Sequence, residues 1–342
     1  MVYASRTPRI SLRKEFSIAW PQCYLPEIII RPFNWLTYQC HTIFLFIHSD
    51  FKTIVLPSTV FGVVNSLATT SYGLDDETSI TLPLLFRRTF SSLLWVSLVF
   101  IPFSINNQRT PSAIAEDAVN KPWRPMPQRR ISPPQALVLM GVFIFLAQVH
   151  IQLHGGIGRR QSLILLALDV WYNTLSGADK NPIVRNAINA LGYTCFLSGA
   201  LEVSLERPLS IFQQSPLIHA EGSRRLDQWL LIIACVVFST IHLQDLYDQK
   251  GDFIRGRRTL PLVIGDTLAR WIVAVPMLFW GVACPLFWHL TSEIFVLSMS
   301  LACIVACRVL AMRTEEEDRT TFLFWNCWIS IIYMMPLAAE WG

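Results

Sequence analysis

Charge is what this chain has least of. Only 15% of its 342 residues are Asp, Glu, Lys or Arg, against about 25% in a soluble globular domain. That is too little to solvate an ordinary protein surface. The net charge is +4, far from the basic excess that a nucleic-acid partner requires. Cysteine is sparse as well, at 8 residues with no C-x-x-C pair. Cys195, Cys235, Cys284, Cys303, Cys307 and Cys327 all sit in apolar runs, which excludes a disulfide scaffold. Cys303 and Cys307 share a helix face and read as packing. His150, His154, His242 and His289 have no spacing that makes a metal site. The first twenty residues, MVYASRTPRISLRKEFSIAW, lack the apolar stretch of a secretory signal and are only weakly like a mitochondrial leader.

Apolar sequence is abundant. Hydrophobic residues make up 52% and the mean hydropathy is +0.41, which excludes disorder and points to an integral membrane protein. A bilayer-spanning helix needs about 20 mostly apolar residues. Nine segments approach this: 53–71, 89–106, 134–153, 161–175, 186–204, 227–244, 267–288, 292–312 and 321–339. Only helices or closed barrels satisfy their backbone in lipid, and long runs without alternation choose helices. The expected fold is all-α, a polytopic bundle of about nine spans. Residues 1–50 form a cytosolic and interfacial segment, with 34–49 along the interface, and 51–342 form the membrane domain. Twenty-one of the 28 Lys and Arg fall on the side that holds the N-terminus and the connections after spans two, four, six and eight. The positive-inside rule puts that side in the cytosol. The chain is expected as a multi-pass protein of the endoplasmic reticulum, with no nucleic-acid partner and no obligate protein partner.

Two charged clusters lie at cytosolic ends of spans. The first runs from Asn106 to Pro125 and includes Asn107, Glu116, Asp117, Lys121 and Arg124. Thr110-Pro111 predicts a helix start. The turn that follows puts Asp117, Asn120 and Arg124 on one face. The second reads DLYDQKGDFIRGRRTLP from Asp245. Asp245, Asp248 and Asp252 fall at i, i+3 and i+7, one helix face. Three carboxylates together repel unless a cation neutralises them, and Mg²⁺ takes oxygen ligands and bridges carboxylates to phosphates. The Arg257-Arg258 pair suits phosphate oxygens. Four spans separate the clusters, so the chain reads as two parallel four-helix repeats plus one helix.

At these clusters the chain resembles the UbiA superfamily of intramembrane prenyltransferases. NKPWRPMP and DLYDQKGDFIRGRRTLP are similar to its two Asp-rich motifs with their trailing basic residues. The resemblance implies a bundle around a central cavity, where two Asp-rich helices hold Mg²⁺ on an allylic diphosphate and loss of diphosphate leaves a carbocation. By position it makes Asp117, Asp245 and Asp248 catalytic. Asp245, Asp248 and Asp252 become metal ligands, joined by Asn107, Glu116 and Asp117 in the first cluster. Lys121, Arg124, Lys180 and Arg258 become the diphosphate holders. The first motif departs from the family pattern NDxxDxxxD: Thr110 and Ala113 stand where two acids are expected. That altered form is similar to a fungal branch of membrane-bound terpene cyclases, of the fumagillin type. The implied activity is Mg²⁺-dependent cyclisation of farnesyl diphosphate to a sesquiterpene hydrocarbon. The alternative is transfer of a polyprenyl chain to an aromatic or other acceptor.

Other residues stay open. Asp169, inside the fourth segment, is either catalytic, a neutraliser of an Arg, or part of a wet cavity mouth. Trp95, Phe103, Trp171, Tyr172 and Tyr193 lie near the motif-bearing ends, where some aromatics must face a carbocation. Glu315-Glu316-Glu317-Asp318 reads as a solvated loop. A transporter with midplane acids also fits the repeats, but it leaves unexplained why both clusters lie at one membrane face.

Overall fold

The structure, a computed structural model, describes residues 27–74, 80–209, 221–290 and 293–341. The chain divides into a unit Met1–His41 and a unit Thr42–Gly342, and every residue of the site described below belongs to the second. Fourteen α-helices follow one another, with no strand among the described residues. They are α1 (Glu27–Asp50), α2 (Leu56–Asn65), α3 (Leu82–Gln108), α4 (Pro111–Asn120), α5 (Pro133–Leu153), α6 (Arg159–Asp169), α7 (Gly177–Lys180), α8 (Pro182–Leu205), α9 (Glu221–Thr240), α10 (Asp245–Arg255), α11 (Leu260–Ile264), α12 (Asp266–Phe287), α13 (Glu293–Ala311) and α14 (Glu315–Trp341).

Seven helical stretches among the described residues are long and apolar enough to cross a membrane. They match seven of the nine expected spans and leave out 161–175 and 186–204. The reason is local for each. Residues 161–175 break into α6, a π turn over Val170–Thr174 and a loop. Helix α8 has 24 residues, about 36 Å at 1.5 Å per residue, so it is long enough, but Arg185, Glu202 and other polar side chains dilute its hydropathy. The first span begins at Asn34, because 34–49 is helix and joins α2 through a π turn at Phe51–Val55.

Local signals explain the helix starts. The Thr110 hydroxyl accepts the Ala113 N–H at 3.3 Å ahead of Pro111, as the sequence predicts. Asn181 caps α8 through Ile183 and Val184 N–H, with Pro182 at the first position. The acidic run at 315–318 is a helix start and not a loop. Thr314 and Glu317 form a reciprocal cap, and buried Asp318 takes both Nη atoms of Arg270 at 2.7 Å.

Close packing builds the centre of the bundle. A Cβ at Gly62 would lie 2.6 Å from the Ala200 carbonyl carbon, so α2 and α8 meet backbone to backbone, as small residues permit in membrane helices. Outward faces carry Phe86, Phe145, Val138, Val275, Phe279 and Val296, all largely exposed. In lipid such faces need no further partner.

Candidate active site

Asn120 joins the two acidic helices. Its Nδ2 donates to the Asp248 carbonyl at 2.8 Å and its Oδ1 accepts the Gly251 N–H at 3.0 Å. A Cβ at Gly251 would collide with that amide. The first motif therefore spends its Asn on clamping α4 to α10, and only glycine lets them come so close.

Next to this clamp a cavity of about 1090 Å³, mouth included, opens between α3, α4, α6, α8 and α10. One end is ionic. Lys121 Nζ meets Asp248 Oδ2 at 2.9 Å. Arg124 meets Asp117 Oδ1 at 2.8 Å and Asp50 Oδ2 at 3.4 Å. Arg185 meets Asp245 Oδ1 at 2.9 Å and donates to the Tyr172 hydroxyl at 2.6 Å. Glu116 is held on both oxygens, by Arg257 at 2.7 Å and Arg255 at 3.0 Å. Arg257 also reaches Asp252 at 3.5 Å and Asn107 Oδ1 at 3.1 Å. The other end is apolar and aromatic. Phe100 stacks on Phe103 at 6.0 Å and meets Phe196 at 5.7 Å, and Phe103 meets Tyr172 at 5.3 Å.

The electrostatics follow from burial and these bases. Burial alone pushes the Glu116 carboxyl up, but Arg257, Arg255 and Lys121 outweigh it and hold the group at about 2. For Asp117 burial wins over Arg124 and Lys121, and its carboxyl rises above the usual range. Burial pulls the Lys121 ammonium down, yet Asp248 and its acidic neighbours raise it overall.

The site residues expected from sequence separate into two groups. Asn107, Glu116, Lys121, Arg124 and Asp248 line the cavity; Asp117, Asp245 and Asp252 are buried just behind it. Lys180 and Arg258 are exposed and do not line it. Gly256 turns the chain in the left-handed region (φ 78°), so Arg257 enters the cavity wall while the Arg258 N–H bonds the Asp179 carbonyl at 2.8 Å. Asp50 and Arg185 are additions. Arg185 was legible: the Asn181-Pro182 helix start places it in the first turn of α8. Of the aromatics, Phe103, Tyr172 and Tyr193 line the cavity, while Trp95 and Trp171 do not.

Mg²⁺ can be tested against these residues. One oxygen each of Asp117, Asp245, Asp248 and Asp252 is buried with no hydrogen-bond partner among the described residues. Arg319 comes no nearer to Asp248 Oδ1 than 3.9 Å. Such orphaned hard oxygens are what Mg²⁺ binds. Among the described residues no three acidic, His or Cys side chains converge as a ready metal cage. Mg²⁺ commonly uses only one or two carboxylates and takes its other ligands from water and substrate phosphates.

Fold and site together define a multi-pass membrane enzyme with an ionic pocket at the end of an apolar cavity. The UbiA prenyltransferase family model matches residues 113–328, and the chain belongs to that family. It is 27% identical to fumagillin beta-trans-bergamotene synthase af520 of Aspergillus fumigatus, covering 86% of this chain and 91% of the relative. It is 26% identical to polyprenyl transferase eriF of Hericium erinaceus, over 89% and 96% of the two chains. A solved structure of digeranylgeranylglyceryl phosphate synthase shares the fold, with a TM-score of 0.55, 14% identity and coverage of 88% and 98%.

Proposed function

We propose that the chain is a Mg²⁺-dependent terpene cyclase, which ionises farnesyl diphosphate inside the bilayer and closes the cation on its own chain to a sesquiterpene hydrocarbon. The observation that carries this is the cavity itself. Half-satisfied carboxylates and the bases paired with them share one end, and an aromatic wall makes the other. Lys121, Arg124, Arg185 and Arg257 hold the diphosphate oxygens, because each already points its charge at this end. Asp117, Asp245, Asp248 and Asp252 are the residues that would hold Mg²⁺. Bound there, the ion neutralises the leaving diphosphate. Asn107 and Glu116 position Arg257, which both of them contact. Phe100, Phe103, Tyr172 and Phe196 exclude water and face the prenyl chain, where an aromatic ring stabilises a desolvated cation by about 2 kcal/mol.

Similarity to the bergamotene synthase over nearly its whole length supports cyclisation, and so does the replacement of two family acids by Thr110 and Ala113. Similarity to the polyprenyl transferase supports the second reading, transfer to an acceptor. The lysine and arginine bias supports placing the ionic end on the cytosolic side of the membrane, and we take that membrane to be the endoplasmic reticulum. Microsomes carrying the protein, given farnesyl diphosphate and Mg²⁺ without acceptor, test the proposal. A hydrocarbon is expected in the organic extract. Silence that an aromatic acceptor relieves overturns cyclisation in favour of transfer.

A further inference from the structure

We propose that Asp169 is the base that ends the reaction, taking the proton that the last carbocation loses. This rests on a carbocation forming in the cavity, as the functional reading requires, and not on whether the cation closes on itself or meets an acceptor.

Asp169 is the last residue of α6, buried at 6% exposure in the cavity wall. It stands with Leu165, Leu168, Phe103 and Tyr172, on the aromatic side. Its Oδ2 accepts from Asn106 Nδ2 at 3.0 Å and its Oδ1 from Asn173 Nδ2 at 2.6 Å. Arg109 Nε donates to Asn106 Oδ1 at 2.9 Å, which turns the Asn106 amide with its NH₂ toward Asp169. A π turn begins at the next residue, Val170, an irregularity that helices often show at functional positions.

The contrast with the other acids of the site decides the role. Glu116, Asp117, Asp245, Asp248 and Asp252 each face a Lys or Arg within ion-pair distance. Asp169 has only amide partners among the described residues. A carboxylate offers about four lone-pair sites, so two amides orient it and leave room for a proton without breaking either bond. The nearby guanidinium, Arg109, reaches Asp169 through the Asn106 amide and not as an ion pair, so it does not occupy the lone pair that takes the proton. An acid held by amides in a membrane cavity is costly and tends to be functional.

The step balances. A C–H bond next to the cationic carbon breaks, and its electron pair becomes the new C=C bond. The proton goes to an Asp169 oxygen. Cation and carboxylate become neutral alkene and neutral acid, the diphosphate having left earlier. An arenium cation formed on an aromatic acceptor loses its proton in the same way.

A purely structural Asp169, tying α6 to α3, predicts that Asn serves nearly as well, because amide flips can keep both bonds. The test uses wild type, Asp169→Asn and Asp169→Glu in microsomes with farnesyl diphosphate and Mg²⁺. The readout is wild-type product formed per diphosphate released, a ratio that does not depend on how much protein folds. Asp169→Asn is expected to lower it by about a hundredfold, the usual worth of a positioned base. Alcohols and hydrocarbons from earlier cations should appear in its place. Asp169→Glu, which keeps the carboxylate, is expected to hold the ratio within a small factor of wild type. A wild-type ratio in Asp169→Asn overturns the proposal. If Asp169→Asn releases no diphosphate, Asp169→Glu decides: a near-wild-type ratio supports the base, and a collapsed ratio or no release overturns it. If wild type itself makes product only with an acceptor, the cyclase reading falls, and the same ratio is read on the prenylated acceptor.

Discussion

Asp248 joins three roles at one carboxylate. Its backbone carbonyl receives Asn120, one oxygen pairs with Lys121 at 2.9 Å, and the other is left without a hydrogen bond. Asp248→Ala is expected to abolish turnover, a loss of about a thousandfold or more, since a metal contributes several kcal/mol to a charged leaving group. Membrane insertion should survive, because the Asn120 clamp uses only backbone atoms at that position. Wild-type-like product formation by the variant would remove Asp248 from the site. Glu116 should behave differently, because both its oxygens serve Arg255 and Arg257. Its folded value of about 2 lies below the ordinary 4.5. The sign is therefore that of a depressed acid: its stabilisation is whole above the ordinary value and is lost as pH falls from there toward 2. In detergent, the melting temperature of wild type should drop more between pH 5 and pH 3 than that of Glu116→Gln. The variant should also melt lower at neutral pH, since two buried guanidinium groups lose one of their carboxylates and keep only Asp179 and, for Arg257, Asp252. Equal slopes would show that Glu116 does not hold these bases. At this scale the sequence was partly legible. Asp117 and Arg124 share a face at i, i+7, and the structure pairs them at 2.8 Å. The choice between Arg257 and Arg258 was not legible, because it depends on the left-handed turn at Gly256 that follows the helix.

Two short helices, α4 and α10, carry both acidic clusters, and their spacing is set by Gly251 against Asn120. Gly251→Ala puts a methyl group into the Asn120 amide and should push the helices apart, with a loss of about tenfold or more in turnover, since misplacement near 1 Å can cost a hundredfold. Asn120→Ala removes the clamp and should also lose activity. The double variant makes room for the methyl group, so its loss should be smaller than the product of the two single losses. Contacting residues couple in this way by about 0.5–3 kcal/mol. Initial rates of the four proteins at matched expression check it, and strict multiplication of the single effects would refute the contact. The α4 start was readable from Thr110-Pro111, and the acidic face of α10 from its i, i+3, i+7 spacing. The meeting of α4 with α10 was not, because 135 residues separate Asp117 from Asp252 and only tertiary packing brings Asn120 to Gly251. The acidic run at 315–318 misled for a related reason. Its reading as a loop used charge alone, while Thr314 and Glu317 carry a helix cap.

Across the whole molecule, apolar patterning made the class of fold legible. Seven of the nine expected spans recur as helices apolar enough to cross a membrane. The remaining two escape for separate reasons: residues 161–175 break at a π turn just after Asp169, and α8 is diluted by polar residues, of which Arg185 and Asn189 line the cavity, so the site itself accounts for part of the lost hydropathy signal. The same chemistry sets how the folded chain should respond to its ligands. Every acid expected to take Mg²⁺ already faces a base, and no three of them converge among the described residues. Mg²⁺ alone should thus bind weakly, since it must compete with Lys121, Arg124, Arg185 and Arg257 for the same carboxylates. Diphosphate would change the balance: its oxygens would satisfy the bases, leave the carboxylate oxygens available, and supply further hard ligands to the ion. The two ligands should stabilise the fold together far more than the separate effects combined. Saturation to about 100 times the dissociation constant adds about 2.7 kcal/mol. In detergent, the melting temperature should move little with Mg²⁺ alone or with inorganic diphosphate alone, and rise by several degrees with both. Chelation by EDTA should return it to the starting value and stop turnover, and added Mg²⁺ should restore both. A full shift with diphosphate alone, persisting in EDTA, would mean that the bases hold the leaving group without a metal.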